Sequence, residues 1–115
     1  MSKHKNPVGP AVSAEGLDLI AARFKALGDT SRLRLMMCLS RGEKSVGELV
    51  QETELGQANV SRHLQTLTNA GLLLRRKEGL SVIYAVADPE IFQICSVMCS
   101  GLRKRFEGQA KVLGR

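Results

Sequence analysis

The chain has 115 residues, enough for one small domain and too few for a catalytic domain beside a regulatory one. Aromatic residues make up 3% of it, with no Trp, which is too sparse for stacking on single-stranded nucleic acid. The 17 Lys and Arg residues against 11 Asp and Glu leave a net charge of +6, which favours an acidic partner such as nucleic acid.

Residues 1–12 hold Pro7, Gly9, Pro10, Lys3 and Lys5 without apolar periodicity, which predicts a flexible basic arm. From Ser13 the apolar residues Leu17, Ile20, Ala21, Phe24 and Leu27 recur at helical spacing, and Gly28 is placed to stop the helix. Asp29 or Thr30 then caps a second helix. Its Leu33, Leu35, Met36, Met37, Cys38 and Leu39 are apolar nearly all round, the mark of a central core helix. Ser45-Val46-Gly47-Glu48 has the form of a capping box and opens a short third helix over about 45–53. After a break at Glu54-Leu55-Gly56, a fourth helix is predicted over 57–70, with Val60, Leu64, Leu67 and Ala70 on one face and Gly71 as its stop. Two short helices across so brief a turn make a helix-turn-helix.

The period then changes. Residues 72–77 and 80–86 read as two strands with Glu78-Gly79 as the turn, a hairpin made basic by Arg75, Arg76 and Lys77. Asp88-Pro89-Glu90 starts a fifth helix over about 89–108, an N-cap followed by proline at the first helical position. Its Ile91, Cys95, Met98 and Leu102, flanked by Phe92, Cys99 and Phe106, form a stripe wide enough to cover its own domain and a partner chain. The expected fold is mainly α with a small β-hairpin wing. It is a winged helix-turn-helix of five helices over 13–108, followed by a basic tail over 109–115. A core this small is marginal alone, and dimerisation is the natural remedy.

The charge is not evenly spread: residues 57–79 carry +3 and 103–115 carry +4, against −1 for 14–56 and −2 for 80–102. The first excess coincides with the two elements that a winged helix-turn-helix presents to double-stranded DNA. A helix in the major groove needs donors and acceptors in its N-terminal half, and Gln57, Asn59, Ser61, Arg62 and His63 supply them. The wing adds Arg75, Arg76 and Lys77. The run Arg103, Lys104, Arg105 and Lys111 is equally a solvated surface or a phosphate contact.

Taken together, these residues resemble the ArsR/SmtB family of bacterial transcriptional repressors. The likeness rests on Phe24-Lys25-Ala26-Leu27-Gly28-Asp29-Thr30-Ser31-Arg32-Leu33-Arg34-Leu35, Ser45 to Leu49, Gln57 to Leu67, Gly71-Leu72-Leu73 and Tyr84, and it spans roughly 17–106. The resemblance implies a homodimer joined through its first and last helices, bound to an inverted-repeat operator and released by an inducer. Two positions depart from the family pattern: Gly56 stands where a polar cap is usual, and Leu80 follows the wing glycine.

The resemblance also directs attention to metal sites, but residues 45–53 lack Cys and His, and Asp88-Pro89-Glu90 lacks the histidine of the zinc site on the last helix. No cofactor is required. What remains is thiol chemistry at Cys95 and Cys99, spaced i, i+4, and at Cys38, whose position matches a cysteine of oxidant-responsive relatives. The effector is then a persulfide or oxidant, or a thiophilic ion such as As(III) held by Cys95 and Cys99 with Cys38. Against this stands plain core packing, since unpaired cysteine behaves as a small hydrophobe. Residues 1–10 hold no signal-type apolar stretch and no run approaches a membrane span, so a cytoplasmic protein with no membrane partner is expected. Three functions fit: a sequence-specific repressor, a sequence-tolerant DNA-architectural protein with structural cysteines, or a metalloid-buffering protein. A phosphate loop, a nucleophilic triad and a His-rich cluster are all absent from the sequence, so no enzyme is expected.

Overall fold

A computed structural model describes residues 11–107; the predicted basic arm up to residue 10 and the tail, with Lys111, lie outside the described residues. Among the described residues five helices and three strands follow in order: α1 (Ala14–Leu27), α2 (Thr30–Leu39), β1 (Lys44–Ser45), α3 (Val46–Thr53), α4 (Gln57–Asn69), β2 (Leu73–Glu78), β3 (Ser81–Val86) and α5 (Phe92–Arg105). A 3-10 turn over Pro89–Ile91 leads into α5.

The helix starts are built by side-chain caps. Ser13 Oγ accepts from the Gly16 N–H at 3.0 Å, and Asp29 Oδ1 accepts from the Arg32 N–H at 3.1 Å, which makes Asp29 the cap of α2. At α3 the capping box closes reciprocally: the Glu48 N–H donates to Ser45 Oγ at 3.2 Å and the Ser45 N–H donates to Glu48 Oε1 at 2.8 Å. Gly56 caps α4 without a side-chain bond.

The core is assembled around α2, whose Leu35, Met36, Cys38 and Leu39 are buried, joined by Leu49 of α3 and by Val60, Leu64 and Leu67 of α4. Leu72, Leu73 and Tyr84 close it from the hairpin. Met37 is the exception on α2, 41% exposed on the side away from this cluster.

The sheet is antiparallel in the order β1-β3-β2. β1, with Lys44 opposite Tyr84 and Ser45 opposite Ile83, escapes sequence reading because two residues carry no period. The hairpin turn is Gly79-Leu80, one residue beyond the predicted Glu78-Gly79, since Glu78 pairs with Ser81. A two-residue loop needs positive φ at its first position, so Gly79, at φ +63°, opens the loop and Glu78 remains in the strand.

α5 ends at Arg105, short of the predicted 108, and none of its residues is fully buried. α1 leaves Leu17, Ile20 and Phe24 exposed, Phe24 at 51%, and α5 leaves Val97, Met98 and Leu102 exposed, with Phe106 just past its end. Large apolar side chains gathered on two helices are the signature of faces that meet another surface. No helix of the described residues is long and apolar enough to cross a membrane.

Candidate nucleic-acid interface

Helix α4 presents Gln57, Asn59, Ser61 and Arg62 to solvent while Val60, Leu64 and Leu67 anchor it in the core. The helix is aimed by the turn before it: Glu54 closes α3 in the left-handed region at φ +60°, and Thr53 Oγ1 accepts from the Leu55 N–H at 3.3 Å. On the exposed face Arg62 Nη2 donates to Asn59 Oδ1 at 2.7 Å, so two of the predicted base-reading side chains are already held against each other.

His63 does not join that face. It is 7% exposed, and its Nδ1 lies 3.2 Å from Arg32 Nη1. A guanidinium only donates, so Nδ1 is the accepting atom of this pair. The expectation of a DNA contact from His63 is therefore corrected. Three residues after Val60 and four before Leu67, it falls on the buried stripe.

Three arginines that a charge tally counts as free positive groups serve instead as clamps on helix C-termini. Arg32 Nε donates to the Ala26 carbonyl near the end of α1 at 2.6 Å. Arg34 Nη2 donates to the Thr53 carbonyl at the end of α3 at 2.7 Å. Arg23, on α1, donates through Nε to the Ala70 carbonyl at 3.2 Å and through Nη2 to the Gly71 carbonyl at 3.5 Å, just past the end of α4. A cation there meets unsatisfied carbonyls and the negative end of the helix dipole. Gly71 is required by its φ of +81°, and a Cβ there would also press on the Arg23 guanidinium, 2.9 Å from Nη2. Sequence reading missed these arginines; their one local signal is charge set among apolar helix positions.

In the wing, Arg76 makes a two-pronged ion pair with Glu43, at 2.6 and 2.9 Å, and also reaches Glu78 at 3.2 Å. These carboxylates raise the Arg76 pKa, and the Arg76 guanidinium holds Glu43 below the usual carboxylate range. The pair therefore supports the fold above the ordinary carboxylate pKa and is lost as pH falls through the depressed one. Of the three basic residues predicted to reach DNA, Arg76 is thus tied to the loop before β1 and fixes the wing. Arg75 and Lys77 are exposed and share the sheet face whose inner end, Leu73 and Tyr84, packs into the core.

The cysteines divide into two settings. Cys38 is buried, and burial together with the Glu52 carboxylate pushes its thiol pKa up. Glu52 is itself paired with Arg41 at 3.2 Å and Lys44 at 3.0 Å. Cys95 and Cys99 are half-buried and line a groove of about 380 Å³ with Phe92 and Ser96 of α5 and with Met37 and Ser40 at the end of α2. Among the described residues no three His, Cys, Asp or Glu side chains gather as a metal-ligand set, so Cys38 does not complete a site with Cys95 and Cys99 as expected. The reason is helical: Met37 faces α5, and the next residue points about 100° away, towards α3.

Residues 29–74, from the cap of α2 to the first wing strand, match the model of the family described as bacterial regulatory protein, arsR family. The arsenical resistance operon repressor of Bacillus subtilis is 35% identical over 88 residues, which cover 75% of this chain and 84% of that one. The chain belongs to the ArsR family. A second relative, the arsenic resistance transcriptional regulator ArsR1 of Pseudomonas putida, is 40% identical over 80 residues. That alignment covers 69% of this ArsR-family chain and 62% of its relative, so the chain spans less than two thirds of the other protein's length. The solution structure of a homodimeric winged helix-turn-helix DNA-binding domain from Mycobacterium bovis superposes with a TM-score of 0.74 at 25% identity, covering 93% of this chain and 97% of that one. These relatives are regulators and DNA-binding domains, not enzymes, and the ArsR-family fold is the winged helix-turn-helix with a three-stranded sheet at its wing.

The division of labour in the wing has a measurable outcome. Lys77→Ala is expected to weaken binding to all duplexes alike and to lower the slope of log affinity against log salt by about 1, as loss of one phosphate contact requires. Glu43→Gln is expected to tighten binding to scrambled duplex by freeing the Arg76 guanidinium. Fluorescence anisotropy across a salt series reads both; unchanged slopes would place the wing off the DNA.

Proposed function

We propose that the protein is a homodimeric, sequence-specific transcriptional repressor of the cytoplasm, bound to an inverted-repeat operator and released by an effector that acts on the Cys95 and Cys99 thiols. The observation that carries the DNA reading is α4, a helix buried on one side that exposes Gln57, Asn59, Ser61 and Arg62 together on the other. Amide and guanidinium groups in that order are the chemistry that reads adenine and guanine edges in the major groove. Exposed apolar faces on α1 and α5 supply apolar surface for a second copy to cover. A two-fold dimer built on them sets its two α4 helices on half-sites one helical turn, about 34–36 Å, or a multiple apart.

For release, the supporting observation is that two thiols spaced i, i+4 share an open groove, whereas Cys38 is buried, and burial together with the Glu52 carboxylate raises its thiol pKa. The Cβ atoms of such a pair stand about 5–6 Å apart, wider than the roughly 3.5–4.5 Å of a relaxed disulfide. A polysulfur bridge or a trivalent metalloid spans that gap with less strain than a direct bond. The repressor's own thiols stay reduced in the cytoplasm until such an agent arrives.

The test is anisotropy of the reduced protein on an operator selected from random duplex, against scrambled DNA, before and after arsenite or polysulfide. Selective binding that one reagent abolishes, and that Cys99→Ser makes insensitive without loss of operator affinity, is the expected result. Equal binding to both duplexes, unmoved by either reagent, would overturn it in favour of a DNA-architectural protein with structural cysteines.

A further inference from the structure

We infer that the groove between α2 and α5 is a binding site for a soft monovalent metal ion of the Cu(I) class, with the Cys95 and Cys99 thiolates and the Met37 thioether as donors. The inference rests on the thiol-effector reading and narrows it. Its ground is the composition of the groove. All six residues that line it are Met37, Ser40, Phe92, Cys95, Ser96 and Cys99, so it offers two thiols, one thioether and two neutral hydroxyls, with no carboxylate or imidazole.

Hard cations require charged oxygen ligands, and structural zinc takes four Cys or His donors; this groove offers neither set. Thiolate with thioether is the donor combination that selects Cu(I). Met37 has a placement that core packing does not explain: its neighbours Leu35, Met36, Cys38 and Leu39 are all buried, while Met37 stays 41% exposed beside the thiols of α5. A thioether there is neutral and needs no proton loss to bind. Each thiol gives up its proton as the ion enters, so two protons leave, copper and sulfur keep their oxidation states, and no oxidant takes part.

The ion has a route to the DNA-reading helix. By joining Met37 to Cys95 and Cys99 it ties α5 to α2, two helices that otherwise touch little. α2 in turn carries Arg32, bonded to His63 inside α4, and Arg34, bonded to the end of α3. A pull on α2 therefore reaches both helices of the helix-turn-helix.

The experiment is an anaerobic titration of the reduced full chain with Cu(I) against a chromophoric Cu(I) chelator, together with operator anisotropy on the same samples. Wild type is expected to take about one Cu(I) per protomer, with near-ultraviolet thiolate-to-metal absorption. Cys95→Ser and Cys99→Ser should abolish this, Cys38→Ser should leave it intact, and Met37→Leu should lower the affinity about tenfold. Met37→Leu keeps size and hydrophobicity at an exposed position, and circular dichroism confirms that it folds. Equal Cu(I) affinity in Met37→Leu and wild type, or loss in Cys38→Ser, overturns the site. If arsenite or polysulfide releases the operator while Cu(I) shows no Met37 dependence, the metal inference fails and the thiol-effector reading stands. If Cu(I) binds with Met37 dependence but no thiol reagent moves the operator, the site stands and the effector reading fails.

Discussion

Arg32→Ala is expected to destabilise the protein by about 3 kcal/mol and to weaken operator binding about tenfold, although Arg32 is not expected to touch DNA. Its guanidinium bridges the Ala26 carbonyl at the end of α1 and the Nδ1 of buried His63 in α4, at 2.6 and 3.2 Å. Truncation strands an imidazole acceptor in the core and frees the one side-chain link that joins three helices at that point. Arg32→Lys should fail to rescue, because a single ammonium on a flexible stem cannot hold both acceptors in the planar fork that Arg supplies. Urea unfolding at fixed protomer concentration measures the first effect and anisotropy the second. Arg32→Ala and His63→Ala should be strongly non-additive, as residues in direct contact are. Losses that add, or a stability change below about 0.5 kcal/mol, would mean that the bridge holds nothing.

The second large effect lies in discrimination rather than in fold. Gln57→Ala and Arg62→Ala are each expected to reduce preference for the operator over single-base variants by about 5- to 150-fold, the range of one two-pronged base contact. Stability should change little, since both side chains are exposed. Asn59→Ala should behave as a weaker copy of Arg62→Ala, because Asn59 Oδ1 accepts from Arg62 Nη2 at 2.7 Å and orients the guanidinium before DNA arrives. Competition binding with a panel of operator variants decides the matter. A uniform loss on every sequence would assign these side chains to phosphate rather than to bases.

How far the sequence carried these conclusions depended on the range of the interaction in question. Caps and periodicities act within a few residues, so the Ser45–Glu48 box and the exposed polar face of α4 could be read directly, and the cap of α2 could be narrowed to Asp29 or Thr30, between which the structure chose Asp29. The helix-turn-helix and its hairpin wing could be read in the same way, the family resemblance pointed to the same fold, and the structure agrees. What escaped was set by partners far apart in the chain. Glu43 and Arg76 are 33 residues apart, Arg23 and Ala70 47, and Arg32 and His63 31, and neither member of any pair announces the other. His63 was misplaced because its polarity argued for solvent while its register argued for the core, and a waiting guanidinium decided for the core. The thiol pair was visible from its spacing, but Met37 beside it was not, since a methionine in an apolar helix reads as packing until the facing helix is in place.

The bare apolar faces of α1 and α5 bear on dosage as well as on assembly. In the dimeric repressor proposed above, a protomer that must find its twin before it can grip two half-sites obeys mass action twice over. Below the dissociation constant of the dimer, halving the number of copies lowers operator occupancy about fourfold rather than twofold. On that reading the exposed leucines and phenylalanines make repression a steep function of how much protein is present, apart from any chemistry at sulfur.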